Sequence, residues 1–145
     1  METTFVSTSF EETREIAQNL VQKLDRGTIF CLYGDLAAGK TTFAQGIGKY
    51  LGVDRVVSPT FMIMRQYPVT NHPVIKTFFH LDLYRLDSLE DIRSFDLEEI
   101  WSDPENLLVI EWPEKLQDFL PKKRYDIYLK ANSENERQIR IVSHT

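Results

Sequence analysis

The segment from Gly34 to Thr41, GDLAAGKT, matches the pattern G-x-x-x-x-G-K-[ST]. A loop of this pattern joins a strand to a helix, and its successive backbone N–H groups point into one concavity of the size of an anion. Gly34 and Gly39 allow backbone dihedrals and a close approach that a Cβ would obstruct. The helix that follows directs its partial positive charge at the same point. The segment therefore predicts a phosphate-binding loop. In such a loop Lys40 reaches the outer phosphates, and the Thr41 hydroxyl is placed to bind Mg²⁺.

The residues on either side of the loop have the character that this prediction requires. Residues 28–33 (TIFCLY) form a β-branched and aromatic run, which is typical of a buried strand. The following residues place Phe43, Ala44, Ile47, Tyr50 and Leu51 on one stripe of a helix. Strand, loop and helix therefore occur in the expected order, which favours a functional loop over a chance glycine turn. Because the lysine carries a point charge for a ligand, we expect its side chain to face mostly solvent.

Length and charge restrict the remaining possibilities. With 145 residues the chain is expected to form a single domain, residues 1–145, with one core. A net charge of −5 argues against autonomous binding of nucleic acid, which needs a basic face. No apolar run approaches the roughly 20 residues of a membrane span, and the N-terminus lacks the basic and apolar regions of a signal peptide. The single cysteine, Cys31, lies in the predicted strand and is read as a core residue. We therefore expect a cytoplasmic protein that does not contact a membrane.

Hydrophobic periodicity predicts an α/β fold with a mixed β-sheet flanked by helices, and the loop motif makes the expected fold P-loop NTPase-like. A capping box, Ser9-x-x-Glu12, predicts a helix from about Phe10 to Leu24. Its inward residues are expected to be Ile16, Ala17, Leu20, Val21 and Leu24. The other predicted elements are a hairpin of strands 61–69 and 74–83, short helices at 89–94 and 96–100, a buried parallel strand at 107–110, and a closing antiparallel pair at 124–131 and 137–142.

Two carboxylates follow apolar strands, and they are candidates for a metal site. Asp82 follows FFHL, and Glu111 follows LLVI. Mg²⁺ prefers oxygen ligands, usually one or two carboxylates together with phosphate oxygens and water. Each acid taken alone could equally be an ordinary strand-end residue that caps the next turn. Together with the phosphate-binding loop, the pair favours a shared site.

Four segments resemble, in order and spacing, those of the TsaE family. They are GDLAAGKTTF (34–43), SPTF (58–61), HLDLYR (80–85) and IEWPE (110–114), and the resemblance extends over residues 10–120. Members of this family are small bacterial ATPases of the tRNA threonylcarbamoyladenosine pathway. One departure is Ala37, which stands where the family usually has glycine and is expected to have a mild effect on the loop dihedrals.

The resemblance implies roles for individual residues in ATP hydrolysis. Lys40 would bind the β- and γ-phosphates, Thr41 and Glu111 would bind Mg²⁺, and Asp82 would bind the metal through water or orient the attacking water. Lys40, Asp82 and Glu111 would thus act in hydrolysis. Thr60, together with Ser58 two residues before it, would form a switch that senses the γ-phosphate. The expected nucleotide-binding residues are Gly34, Asp35, Leu36, Ala37, Ala38, Gly39, Lys40, Thr41 and Thr42.

Other residues receive less definite roles. Trp112 is expected to be a core or interface residue that packs over the mouth of the site. Arg85 is compatible with a salt bridge or with charge stabilisation near phosphate. His80 is expected to be structural, because it has no metal-ligating partner at a suitable spacing. Ser9 and Phe10 are a family-based suggestion for the adenine pocket.

At the level of function, the resemblance implies that this chain hydrolyses ATP to serve a complex with TsaD and TsaB and resets that complex between turnovers. That complex transfers a threonylcarbamoyl group to the adenosine next to the tRNA anticodon, so this chain would meet tRNA only indirectly. A small-molecule kinase would use the same loop but needs an arginine-rich lid, for which Arg85 and Arg93 are the only candidates. A module that binds ATP without hydrolysing it also remains open. A GTPase is not supported, because the chain lacks the guanine-reading pattern Asn-Lys-x-Asp.

Overall fold

The computed structural model describes residues 1–35, 37–57, 59, 63–93 and 96–144, except for the side chain of Arg93. In chain order the elements are β1 (Glu2–Ser7), α1 (Phe10–Gln22), β2 (Ile29–Tyr33), α2 (Lys40–Tyr50), β3 (Met64–Pro68), β4 (Thr77–Asp82), α3 (Leu89–Arg93), α4 (Leu97–Ser102), β5 (Asn106–Glu111), a 3-10 helix (Pro113–Phe119), β6 (Arg124–Ala131) and β7 (Arg137–His144).

The strands of the described residues form one mixed sheet in the order β1-β7-β6-β2-β5-β4-β3. The strand before the loop, β2, lies at its centre and is parallel to both neighbours, β5 and β6. Strand β4 is parallel to β5, whereas β3, β7 and β1 are added in antiparallel pairs. The carboxyl ends of β2, β5 and β4 therefore meet at one edge of the sheet, and this edge receives the loop.

Helix α1 begins where the capping pattern predicts it. The Ser9 side chain accepts a hydrogen bond from the Glu12 N–H at 3.1 Å, and Glu12 Oε1 accepts from the Thr8 N–H at 3.2 Å. Glu12 thus satisfies the amide one residue before the one that a capping box normally uses. Two of the predicted inward residues, Ala17 and Val21, are fully buried, and the others pack against the same core.

Close packing of α1 on α2 depends on Gly46. A Cβ at this position would lie 2.5 Å from the carbonyl oxygen of Arg14 and 2.9 Å from the Cβ of Ala17. The glycine therefore lets the backbones of the two helices approach. This contact holds α2, and with it the first turn after the loop, against the sheet.

The core has two parts, one on each face of the sheet. Helices α1 and α2 cover one part, which includes Phe30, Phe43 and Ile47. The helices that follow β4 and β5 cover the other part, which includes Cys31, Leu81 and Ile110. Cys31 is fully buried, as its place in a core strand predicts.

Most predicted elements are confirmed, with differences at their ends. The hairpin forms from β3 and β4, although Phe61 and Met62 lie outside the described residues. The parallel strand β5 and the antiparallel pair β6–β7 also form. Strand β1 and the 3-10 helix are not predicted from the sequence. Within the described residues, no helix is long and apolar enough to cross a membrane.

Candidate nucleotide-binding site

The loop between β2 and α2 uses backbone conformations that favour glycine. Gly34 has a φ of 151° and Gly39 a φ of 104°. A Cβ on Gly34 would also lie 2.5 Å from the carbonyl oxygen of Leu129 in β6, so both dihedral and space exclude other residues there. Ala37 has a φ of 66°, in the left-handed region. Its position is thus one where glycine, the residue usual in the resembling family, would relieve strain.

The lysine of the loop is buried, which corrects the expectation that it faces mostly solvent. Lys40 is 5 % exposed, and its Nζ donates a hydrogen bond to the carbonyl oxygen of Gly34 at 2.7 Å. The same Nζ lies 4.0 Å from the centroid of the Trp112 ring, a cation–π contact. The physical reason is that the indole of Trp112, the residue that follows β5, covers the ammonium.

Two opposing effects act on the pKa of Lys40. Burial lowers the pKa of the Lys40 ammonium below its usual value, while the nearby carboxylates of Glu111 and Asp82, followed by Glu114 and Asp35, act in the opposite direction. Burial is the larger effect. An anion that binds here would therefore meet a lysine ammonium that has already lost part of its hydration shell.

Both candidate carboxylates lie at the same level of the sheet. Glu111 is the register partner of Leu32 in β2 and of Asp82 in β4. The fold thus brings Lys40, Asp82 and Glu111 to one edge of the sheet. Glu111 is buried, with 4 % exposure, whereas Asp82 is half-buried. Asp82 Oδ1 also accepts from the Tyr84 N–H at 3.0 Å, so it caps the next turn as an ordinary strand-end acid would.

One contact of the site was missed by reasoning from the sequence. His80 Nε2 lies 2.6 Å from Glu111 Oε2, and His80 has no solvent exposure. His80 and Asp82 are two residues apart in β4, and Asp82 is in register with Glu111. Because side chains alternate along a strand, this spacing places all three on one face of the sheet. The alternation could have indicated the pair, but only once the register of β4 against β5 was known.

A cavity adjoins the loop on the side of α1. It has a volume of about 160 Å³ and is lined by Thr8, Ser9, Phe10, Glu11, Thr13, Gly39, Thr42, Glu134, Asn135 and Arg137. Phe10 is exposed over 59 % of its surface. Ser9 and Phe10, suggested from the sequence, therefore lie beside the start of α2. The contribution of the β6–β7 turn was not foreseen.

Arg137 connects this turn to the loop. Its Nη2 donates to the carbonyl oxygen of Ala37 at 3.2 Å, and its Nη1 donates to that of Ser133 at 2.8 Å. The side chain thereby links the strained position of the loop to β7. No sequence motif marks this arginine, because it reaches the loop only through the pairing of β7 with β6 and β1.

Within the described residues, no group of three or more His, Cys, Asp or Glu side chains could hold a metal ion by itself. A cation here would therefore need oxygen donors of other kinds. The Thr41 hydroxyl, on a half-buried residue at the start of α2, is one such donor, and the oxygens of a bound phosphate would be others.

Comparison with known proteins decides the family. The model of the family "Threonylcarbamoyl adenosine biosynthesis protein TsaE" matches residues 7–139. The chain belongs to the TsaE family. It is 37 % identical over 138 residues to the TsaE protein of Rickettsia conorii, covering 94 % of this chain and 75 % of that protein. It is also 37 % identical over 135 residues to the TsaE protein of Bacillus subtilis, covering 92 % and 80 %.

A solved structure supports the same assignment. The crystal structure of Bacillus subtilis YdiB superposes with a TM-score of 0.78 at 28 % identity, over 100 % of this chain and 87 % of that one. The α/β fold and the resemblance to TsaE are therefore confirmed. TsaE proteins carry the name of tRNA threonylcarbamoyladenosine biosynthesis, and this chain shares that family role.

The other residues considered from the TsaE resemblance differ in where they lie. Leu36, Ser58 and Thr60 lie outside the described residues. Arg85 is exposed. Trp112 does lie at the site, where its ring contacts Lys40 Nζ and packs against Tyr84 with ring centroids 4.9 Å apart.

Proposed function

We propose that this TsaE protein binds ATP with Mg²⁺ at the loop of residues 34–42 and hydrolyses it to drive the threonylcarbamoyladenosine complex. The observation that carries the proposal is the position of Lys40. Its ammonium lies at the N-terminus of α2, within electrostatic reach of the strand-end acids Asp82 and Glu111. A cation between anion-binding amides and two carboxylates is an arrangement suited to phosphate together with a divalent metal.

Binding of the phosphates would require a rearrangement of Lys40. The Nζ donates to the Gly34 carbonyl oxygen in this structure, and phosphate oxygens would replace that carbonyl as its partner. A phosphate is the stronger acceptor because it is charged. On binding of the nucleotide, the Lys40 ammonium would thus exchange a neutral carbonyl oxygen for charged phosphate oxygens.

The adenosine part of the nucleotide would occupy the cavity beside α1. Gly39 and Thr42 join this cavity to the loop, and the exposed ring of Phe10 offers an aromatic face. Arg137, which also lines the cavity, supplies a planar cation. Aromatic rings and guanidinium groups stack on planar bases, so the lining suits a nucleobase.

Thr41 and Glu111 would hold the Mg²⁺. Their hydroxyl and carboxylate oxygens have the hardness that this ion prefers, and phosphate oxygens and water would complete the set. When bound, the ion would neutralise charge that develops on the phosphates. The donors present fit such an ion, since Glu111 is a buried carboxylate whose negative charge a metal cation would stabilise further.

Hydrolysis would proceed by attack of water on the γ-phosphate, with catalysis by positioning and charge stabilisation. Lys40 would stabilise negative charge on the transferred group. Asp82 would orient the attacking water or bind the metal through water. Ser58 and Thr60 would form the switch that reports the γ-phosphate.

TsaD and TsaB are the proposed partners, and the hydrolysis would reset their complex between turnovers. The chain would meet tRNA only through that complex, in the cytoplasm, because its net charge of −5 does not favour direct binding. In related phosphate-binding loops, an arginine supplied by a partner protein raises the rate of phosphoryl transfer by about 10³–10⁵-fold.

Phosphate release tests the proposal. We expect slow ATP hydrolysis by the isolated protein, stimulation by TsaD and TsaB together, and loss of the stimulation in Thr60→Ala. Full-speed hydrolysis that the partners leave unchanged would contradict coupling. Phosphate transferred to an added small molecule in place of water would instead support a kinase.

A further inference from the structure

The contact between His80 and Glu111 has a consequence for the metal site. His80 is fully buried and Glu111 is 4 % exposed, with Nε2 and Oε2 2.6 Å apart. We propose that His80 is a positioning residue, which holds the Glu111 carboxylate in the orientation required to bind the metal of a metal–nucleotide complex. This inference rests on the function proposed above.

The direction of the hydrogen bond follows from the chemistry of the two groups. An ionised carboxylate only accepts, so the proton lies on Nε2 of His80, and the imidazole donates. Nδ1 is buried and has no hydrogen-bond partner among the described residues. Among the described residues, Nε2 is therefore the ring atom through which His80 makes its hydrogen bond, and its partner is Glu111.

The fold holds this donor rigidly. His80 lies in the middle of β4, opposite Val109 of β5, so hydrogen-bonded strands restrain its backbone. The ring of Phe78, two residues earlier, stacks near it with centroids 6.5 Å apart and planes inclined at 13°. A fixed donor removes rotational freedom from Glu111 before any ligand arrives. Partners that orient a metal-ligating side chain in this way commonly affect metal affinity.

A purely structural role is the competing explanation. In that case the hydrogen bond only satisfies a buried carboxylate, and its loss would destabilise the whole protein without a selective effect on the metal. The two roles differ in what they predict for nucleotide binding with and without Mg²⁺.

The test compares two substitutions at His80. His80→Leu removes the donor and keeps an apolar side chain of similar bulk, whereas His80→Gln keeps an amide N–H near the position of Nε2. Affinity for a fluorescent ADP is measured in EDTA and across a Mg²⁺ titration, together with unfolding in urea. We expect His80→Leu to weaken the apparent Mg²⁺ affinity by about 10–100-fold. The affinity for ADP in EDTA should stay unchanged, and His80→Gln should restore most of the loss.

Three results would overturn the proposal. They are an unchanged Mg²⁺ dependence in His80→Leu, an equal loss of affinity with and without Mg²⁺, or a failure of His80→Gln to restore binding. Phe79→Leu, a buried substitution on the other face of β4, is the packing control and should lower stability without changing the Mg²⁺ dependence. If His80→Leu does not fold, His80→Asn replaces it, because its amide is too short to reach Glu111. Absence of ADP binding by the wild-type protein would count against the proposed function itself.

Discussion

Replacing Lys40 by Met and by Ala separates the role of its ammonium from the packing of its buried stem. Both variants lose the hydrogen bond of Nζ to Gly34 and the contact of Nζ with the Trp112 ring. Met keeps an unbranched apolar chain in the space that the lysine stem fills. Ala removes that chain as well.

The expected stability of the two variants follows from the burial of this side chain. Burial lowers the pKa of Lys40, so its surroundings disfavour the charge overall, in spite of the neighbouring carboxylates. Removal of the ammonium should therefore cost little, and we expect Lys40→Met to unfold within about 1 kcal/mol of wild type. Lys40→Ala also deletes Cγ, Cδ and Cε. At about 0.8 kcal/mol for each buried methylene, this costs roughly 2.4 kcal/mol of unfolding free energy.

Ligand binding should fail in both variants. In the wild-type protein, ATP at about 100 times its Kd would stabilise the fold by roughly 2.7 kcal/mol. The assay is urea unfolding of the three proteins with and without ATP and Mg²⁺. If Lys40→Ala unfolds like wild type, the stem is not buried as described. If ATP stabilises Lys40→Met as much as wild type, the loop is not the phosphate site.

Three further predictions follow from the same edge of the sheet and from β2. Glu111→Ala should weaken Mg²⁺-dependent nucleotide affinity and turnover, whereas Asp82→Asn should spare ADP binding more than hydrolysis. Titration of Mg²⁺ against a fluorescent ADP checks this, and reversed phenotypes would mean that the two roles are exchanged. Burial, with a smaller contribution from the Asp126 carboxylate, raises the pKa of the Cys31 thiol, so a disulfide reagent at pH 8 should modify it only as fast as the protein unfolds. Modification at the rate of an exposed thiol would contradict the buried position. Burial, followed by the Asp126 carboxylate, likewise raises the pKa of Tyr33 above its ordinary value of about 10. Above that pH the unfolded chain has lost a proton that the folded one keeps, so stability falls as pH rises. Tyr33→Phe should make this fall shallower in urea unfolding at pH 9 to 11, and an unchanged slope would refute the assignment.

Elements with a strong local pattern could be predicted from the sequence. The capping residues and apolar stripe of α1, the apolar run of β5 and the glycine positions of the loop each reflect a local requirement of the backbone or of burial. Such requirements are written into neighbouring residues, and no distant contact is needed to recognise them.

Strand β1 and the 3-10 helix could not be predicted in this way. All but the last residue of β1 are exposed, so no alternation marks it, and it is a strand because its backbone pairs with β7. The 3-10 helix follows Trp112, which has a positive φ, and one of its own residues, Gln117, is non-helical. The secondary structure of both segments therefore depends on tertiary contacts.

In the candidate site, too, some features follow from local sequence and others from tertiary contacts. The motif by itself determined that a glycine-containing loop lies between β2 and α2, and the apolar runs FFHL and LLVI placed an acid at the end of β4 and of β5. Only the tertiary structure buried Lys40 beneath Trp112 and set Nε2 of His80 against a carboxylate 31 residues away. It also brought the β6–β7 turn to the cavity beside α1. A sequence pattern reports the face on which a side chain lies, whereas the partner that it meets there depends on the register and order of strands distant in the chain.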